Sequence, residues 1–229
     1  LRTLFTFQRN FVTTFLKIAL PVVINEMLWS LGISTYNAIY AHISTESAAA
    51  IQIASTIESL AFVIFIGISD ATGILVGNKI GAQENETAYH YGRRSLTLVV
   101  IGAMLMGVCI YLLSGSILSL YKVSPQVLEY TRNILLVMFG ALWIRFSNMT
   151  AIVGILRSGG DTVFSMFLDG GTMWVVGVPS ALLAAFVFHL PVHWVYLVIM
   201  SEELVKFFIS LWRFRSGRWV HNISQSVPA

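Results

Sequence analysis

Apolar residues fill this chain in long blocks, separated by short polar or glycine-bearing segments. Such blocks match neither the alternation of a half-buried strand nor the one-sided stripe of a surface helix. A helix needs roughly 20 apolar residues at 1.5 Å rise each to cross a bilayer. Six blocks meet that requirement, at about 15–42, 48–78, 93–120, 126–156, 162–188 and 191–213. The pattern predicts an all-α polytopic membrane bundle of six transmembrane helices, forming a single domain over 1–229. Several blocks exceed the minimum, which implies tilt, kinks or protruding ends. Pro21 and Pro179 each remove a backbone donor and favour a kink in the first and fifth spans. Residues Gly81 to Arg94 read as a short amphipathic helix leading into the third span.

Composition sharpens this picture. Of 229 residues, 56% are hydrophobic and 11% charged, against roughly a quarter charged in soluble domains. So few polar groups cannot cover a soluble globule. The net charge of +3 reflects scarcity of charge rather than a basic patch, so no nucleic-acid partner is expected. The single cysteine, Cys109, lies in an apolar run and has no intrachain partner for a disulfide. Basic residues orient the bundle. Arg2, Arg9, Lys17, Lys79, Arg93, Arg94, Arg157, Arg213, Arg215 and Arg218 fall on one side, with little beyond Lys122 on the other. The positive-inside rule then puts both termini in the cytoplasm. Residue 1 is leucine, and the first residues lack the order of a signal peptide. The expectation is a piece of a longer chain.

Charges within the spans carry the candidate chemistry, because an ionisable group at the bilayer centre costs about 2.5–3.5 kcal/mol on insertion scales. Glu26 lies near the middle of the first span. At 100° per residue Ser30 and Asn37 share its face, with Trp29 and Tyr40 flanking. A carboxylate that a cation can neutralise, beside aromatic rings, suits cation coupling and the binding of apolar organic cations. In the second span Gln52, Thr56, Ser59 and Asp70 share a face, and Glu58 points away from it. Arg145 and Asn148 are helix neighbours in the fourth span. Glu202 and Glu203 precede Lys206 by three to four residues, a spacing that suits local ion pairing. Gly73, Gly77 and Gly81 recur every fourth residue, as in helix faces that admit a close neighbour.

Enzyme chemistry finds no foothold. The chain has no HExxH, GxSxG or P-loop. The run Arg157-Ser158-Gly159-Gly160-Asp161 is not the GxGD of an intramembrane aspartyl protease, and the histidines lack metal-ligand spacing.

Several runs carry a family resemblance. Leu20-Pro21-Val22-Val23-Ile24-Asn25-Glu26-Met27-Leu28-Trp29-Ser30-Leu31-Gly32 resembles the seventh helix of multidrug and toxic compound extrusion (MATE) transporters. Ala48 to Ile53, Gly67-Ile68-Ser69, Val76-Gly77 and Ile80-Gly81-Ala82 resemble the eighth. Gly154 to Thr162, followed by Trp174 and Pro179, is similar to the join of helices ten and eleven, and Trp212 to Trp219 to the closing segment. The resemblance implies the carboxy-terminal lobe of a twelve-helix transporter in the cytoplasmic membrane of a bacterium. It implies export of cationic amphipathic compounds in antiport with Na⁺ or H⁺, no cofactor, and an amino-terminal lobe missing here. Glu26 matches the acid that the Na⁺-coupled, NorM-like branch uses for its cation, so Na⁺ at Glu26 is the one metal ion implied. That branch also carries an aspartate inside helix ten, where the fourth span offers Arg145 and Asn148 and no equivalent acid. Two other readings stand beside export. One is a lipid-linked oligosaccharide flippase of the wider superfamily, and the other is a membrane interaction subunit that transports nothing.

Overall fold

The computed structural model describes residues 9–221. Arg2, the side chain of Arg9 and the tail beyond His221 lie outside the described residues. Six long helices follow one another: α1 (Arg9–Ile43), α2 (Thr45–Gly81), α3 (Asn85–Leu118), α4 (Pro125–Arg157), α5 (Thr162–Val187) and α6 (Val192–Arg215). There are no strands among the described residues. The first five are long and apolar enough to cross a membrane. Helix α6 carries Glu202, Glu203 and Lys206 near mid-length, all turned inward.

Local chemistry explains the boundaries. Ser44 caps α2 by accepting from the Ser47 N–H at 3.0 Å. Ser124 caps α4 in the same way from Val127, with Pro125 in the first turn, where its missing N–H costs nothing. Gly160, at φ 92°, makes the tight turn between α4 and α5. The amphipathic stretch expected ahead of the third span is not separate, because α3 runs unbroken from Asn85. Helix α1 continues through Pro21. The end of α4 (Thr150–Arg157) and three stretches of α5 (Phe167–Gly171, Met173–Gly177 and Leu183–Val187) are wound as π-helix, the last two flanking Pro179.

Packing is inverted relative to a soluble protein. Leu60, Val63, Leu98, Leu105 and Leu112 point outward, as lipid-facing residues should, and the charges gather inside. The main core joins all six helices and includes Phe65 stacked on Phe146 at 4.2 Å between ring centres. A second core closes the end that carries the basic loops. There Trp219, fully buried beyond α6, lies over Gly159, and the His221 N–H donates to the Gly159 carbonyl at 2.7 Å.

The glycine row is narrower than its spacing implies. A Cβ at Gly73 would lie 2.7 Å from Ser158 Oγ and 3.3 Å from the Gly154 carbonyl oxygen, so α2 and α4 touch there. Gly154 answers from the other side, with the Ser69 carbonyl oxygen 2.7 Å from its would-be Cβ. A Cβ at Gly77 would meet the Ser158 carbonyl oxygen at an ordinary 3.8 Å, and one at Gly81 would meet nothing within 4 Å. The helices diverge past Gly77, so the close approach runs through Ser69 and Gly73 instead.

Candidate functional site

A cavity of about 510 Å³ opens between α1, α2, α4, α5 and α6. Each helix contributes polar groups because the opposite face of each must be apolar towards lipid. Glu26, Trp29, Asn37 and Tyr40 of α1 line it, with Gln52 and Asp70 of α2 and Arg145 and Asn148 of α4. Ser30, Thr56 and Ser59 do not. Thr56 donates to the Gln52 carbonyl at 2.8 Å and Ser59 to the Thr56 carbonyl at 2.7 Å, so both hydroxyls are satisfied by their own helix. The cavity face of α2 runs through Gln52, Ser55, Glu58 and Asp70 instead. Glu58 therefore faces the cavity rather than away from it, and its Oε1 accepts from Arg145 Nη1 at 2.6 Å.

A chain of charge crosses the deeper wall. Arg157 Nη1 donates to Glu26 Oε1 at 2.8 Å, and its Nη2 stands 3.8 Å from Asp169 Oδ2. Lys206 Nζ continues the chain, 2.9 Å from Asp169 Oδ1 and 2.5 Å from Glu202 Oε1. Tyr36 donates its hydroxyl to Glu202 Oε2 at 2.6 Å. Asn25 bridges α1 to α5 by donating to Asp169 Oδ2 at 2.9 Å and accepting from the Gly170 N–H at 3.1 Å. A Cβ at Gly177 would overlap the Tyr36 hydroxyl and the Glu202 carboxylate, so α5 passes this cluster at a distance only glycine allows.

Asp169 lines the cavity although the helix-by-helix sequence pattern does not single it out. A signal for it exists, as a carboxylate inside an apolar span flanked by Gly170 and Gly171. Arg157, counted with the loops, reaches back from the end of α4, and Glu202, Glu203 and Lys206 form part of the wall as well as pairing locally. Around the cavity stand six carboxylates (Glu26, Glu58, Asp70, Asp169, Glu202 and Glu203) against three cations (Arg145, Arg157 and Lys206). Among the described residues no three acidic, histidine or cysteine groups converge as metal ligands.

Fold and cavity together define a class, a polytopic helical membrane protein built around a charged interior basin. The family profile for MatE matches residues 21–183. The probable multidrug resistance protein NorM of Thermotoga maritima is 23% identical over 204 residues, covering 89% of this chain and 44% of that protein. The Bacillus subtilis protein of the same name is 26% identical over 179 residues, covering 77% and 39%. Two solved structures share the fold. An outward-facing multidrug resistance MATE family transporter superposes with a TM-score of 0.83 at 16% identity, covering 94% of this chain and 48% of the other. The Vibrio cholerae MATE transporter VcmN in its bent form gives 0.79 at 19% identity, covering 93% and 50%. The chain belongs to the MatE family, a family of transporters rather than enzymes. It spans about half the length, or less, of the relatives it matches.

Proposed function

We propose that the chain is the carboxy-terminal lobe of a secondary transporter that exports cationic amphipathic compounds in exchange for Na⁺ or H⁺. The excess of carboxylates over cations around the cavity carries this reading. The excess draws positive charge inward, and Trp29, Tyr40 and Phe62 supply aromatic surface for an organic cation. Glu26 and Asp70 are the carboxylates most open to an arriving cation. Glu26 shares its charge with a single arginine, and Asp70 makes no ion pair among the described residues. The facing wall would come from an amino-terminal lobe, and both termini would lie in the cytoplasm. A flippase for phosphate-linked lipids is disfavoured, since all three cavity cations are already held by carboxylates. A non-transporting subunit would have no use for a charged basin.

The test uses the full-length protein in proteoliposomes. Imposed pH or Na⁺ gradients should drive ethidium uptake or release, and Glu26→Gln should lower that flux and its ion dependence. Flux indifferent to both gradients would overturn the reading. For orientation, a cysteine at Glu84 in a Cys109→Ala background should react with impermeant reagents only from inside the cell.

A further inference from the structure

Lys206 is the most enclosed cation of the cavity wall, 3% exposed, and its surroundings are built rather than incidental. Asp169 Oδ1 and Glu202 Oε1 lie 2.9 and 2.5 Å from Nζ, and Glu203 Oε1 lies 3.9 Å away. Each carboxylate is held on its other oxygen by a neutral donor from a different helix. Asn25 of α1 holds Asp169, Tyr36 of α1 holds Glu202, and Asn148 of α4 holds Glu203 at 2.8 Å. A simple ion pair requires no such scaffold. Two carboxylates in contact with Nζ and a third 3.9 Å off, each held from behind, make a rigid receptor for positive charge. Asn148 Oδ1 adds a buried acceptor with no donor beside the same cluster.

We propose that Asp169, Glu202 and Glu203 form an ammonium seat, that Lys206 is its tethered occupant, and that the seat takes primary alkylammonium ions once Lys206 is removed. The seat stands on geometry alone. Its consequence rests on the transport reading: the tethered ammonium closes the deep wall to transported cations and leaves Glu26 and Asp70 to meet them.

The experiment is a thermal melt of the purified full-length protein in detergent, with no gradient and no drug, so the outcome is independent of whether export occurs. Lys206→Ala removes the propylammonium portion of the side chain. In this variant n-propylammonium chloride should raise Tm by a few degrees over equal concentrations of tetramethylammonium or sodium chloride, because a ligand that binds only the folded state stabilises it. Wild type should show no rise with propylammonium beyond that with tetramethylammonium, and any sodium effect at Glu26 or Asp70 should be the same in wild type and variant. No propylammonium-specific rise in Lys206→Ala would overturn the seat, and a sodium rise that Lys206→Ala shows and wild type lacks would overturn its preference for ammonium. If Lys206→Ala does not fold, the double variant Lys206→Ala with Glu202→Gln removes one charge of each sign and keeps Asp169 and Glu203. It should show a smaller rise with propylammonium, and equal melting there would count equally against the proposal.

Discussion

Glu26 and Glu202 each hold a cation through one carboxylate oxygen, at 2.8 Å to Arg157 and 2.5 Å to Lys206. Their surroundings are opposite. The Glu26 side chain is 56% exposed at the cavity, whereas that of Glu202 is 3% exposed and packed under α5. Arg157 itself is 12% exposed, but its carboxylate partner is open to water and can meet another ion at less cost than a buried one. A buried pair cannot trade its partner, because removing one member leaves an uncompensated charge in a medium that solvates it poorly. On the proposed reading, the same ion-pair chemistry gives an exchangeable carboxylate on α1 and a fixed one on α6.

The largest expected effect tests the fixed end. Lys206→Met leaves Asp169, Glu202 and Glu203 without their shared cation and should cost about 3–5 kcal/mol in unfolding experiments on purified protein. A cost below about 1 kcal/mol would place this cluster with the exposed pairs. Gly177→Ala comes next. Its methyl group would overlap the Tyr36 hydroxyl and the Glu202 carboxylate, and overpacking of this kind costs about 1–3 kcal/mol. Adding Tyr36→Phe should recover part of the loss by removing the hydroxyl. Without recovery, the strain lies elsewhere in α5. At the exchangeable end, Glu26→Gln should change stability by no more than about 0.5 kcal/mol while weakening the binding of tetraphenylphosphonium. Tight binding unchanged by the substitution would move the open carboxylate to Asp70.

The smallest effect belongs to Lys79 and Glu84, paired at 2.8 Å on the surface beyond the cavity. The hydrogen bond from Lys79 holds the Glu84 carboxyl below the usual carboxylate range. The pair's contribution is therefore present at neutral pH, and it fades as pH falls through the lowered Glu84 value. Glu84→Gln should leave Tm unchanged at neutral pH, and a measurable drop would contradict the screening expected of exposed charge.

Helix positions are largely legible in the amino-acid sequence, because the bilayer demands long apolar runs and leaves little choice of where they lie. Four begin and end within a few residues of expectation, whereas α1 is already helical at Arg9 and the amphipathic start of α3 merges with its span. Helix faces are harder to read. Hydroxyl residues such as Thr56 and Ser59 suggest a polar face, yet each bonds to a carbonyl of its own helix and tolerates an apolar setting. Carboxylates and guanidinium groups have no such local escape, so Glu58, Asp169 and Arg157 report the cavity more faithfully. A face of α2 drawn through those hydroxyls turns Glu58 away from the cavity that it in fact lines. Asp169 needs a partner from another helix, Lys206, which no single-helix reading supplies.

Trp219 bears on how the protein can be handled in the laboratory. Its indole is sealed over Gly159, and the chain stays pinned to that loop as far as His221. Residues 216–221 thus act as a plug in the wall, not as a free handle. An affinity tag or fluorescent fusion belongs beyond His221. A cut at Arg215 would pull out the plug and leave an indole-sized void beneath the turn that follows Arg157.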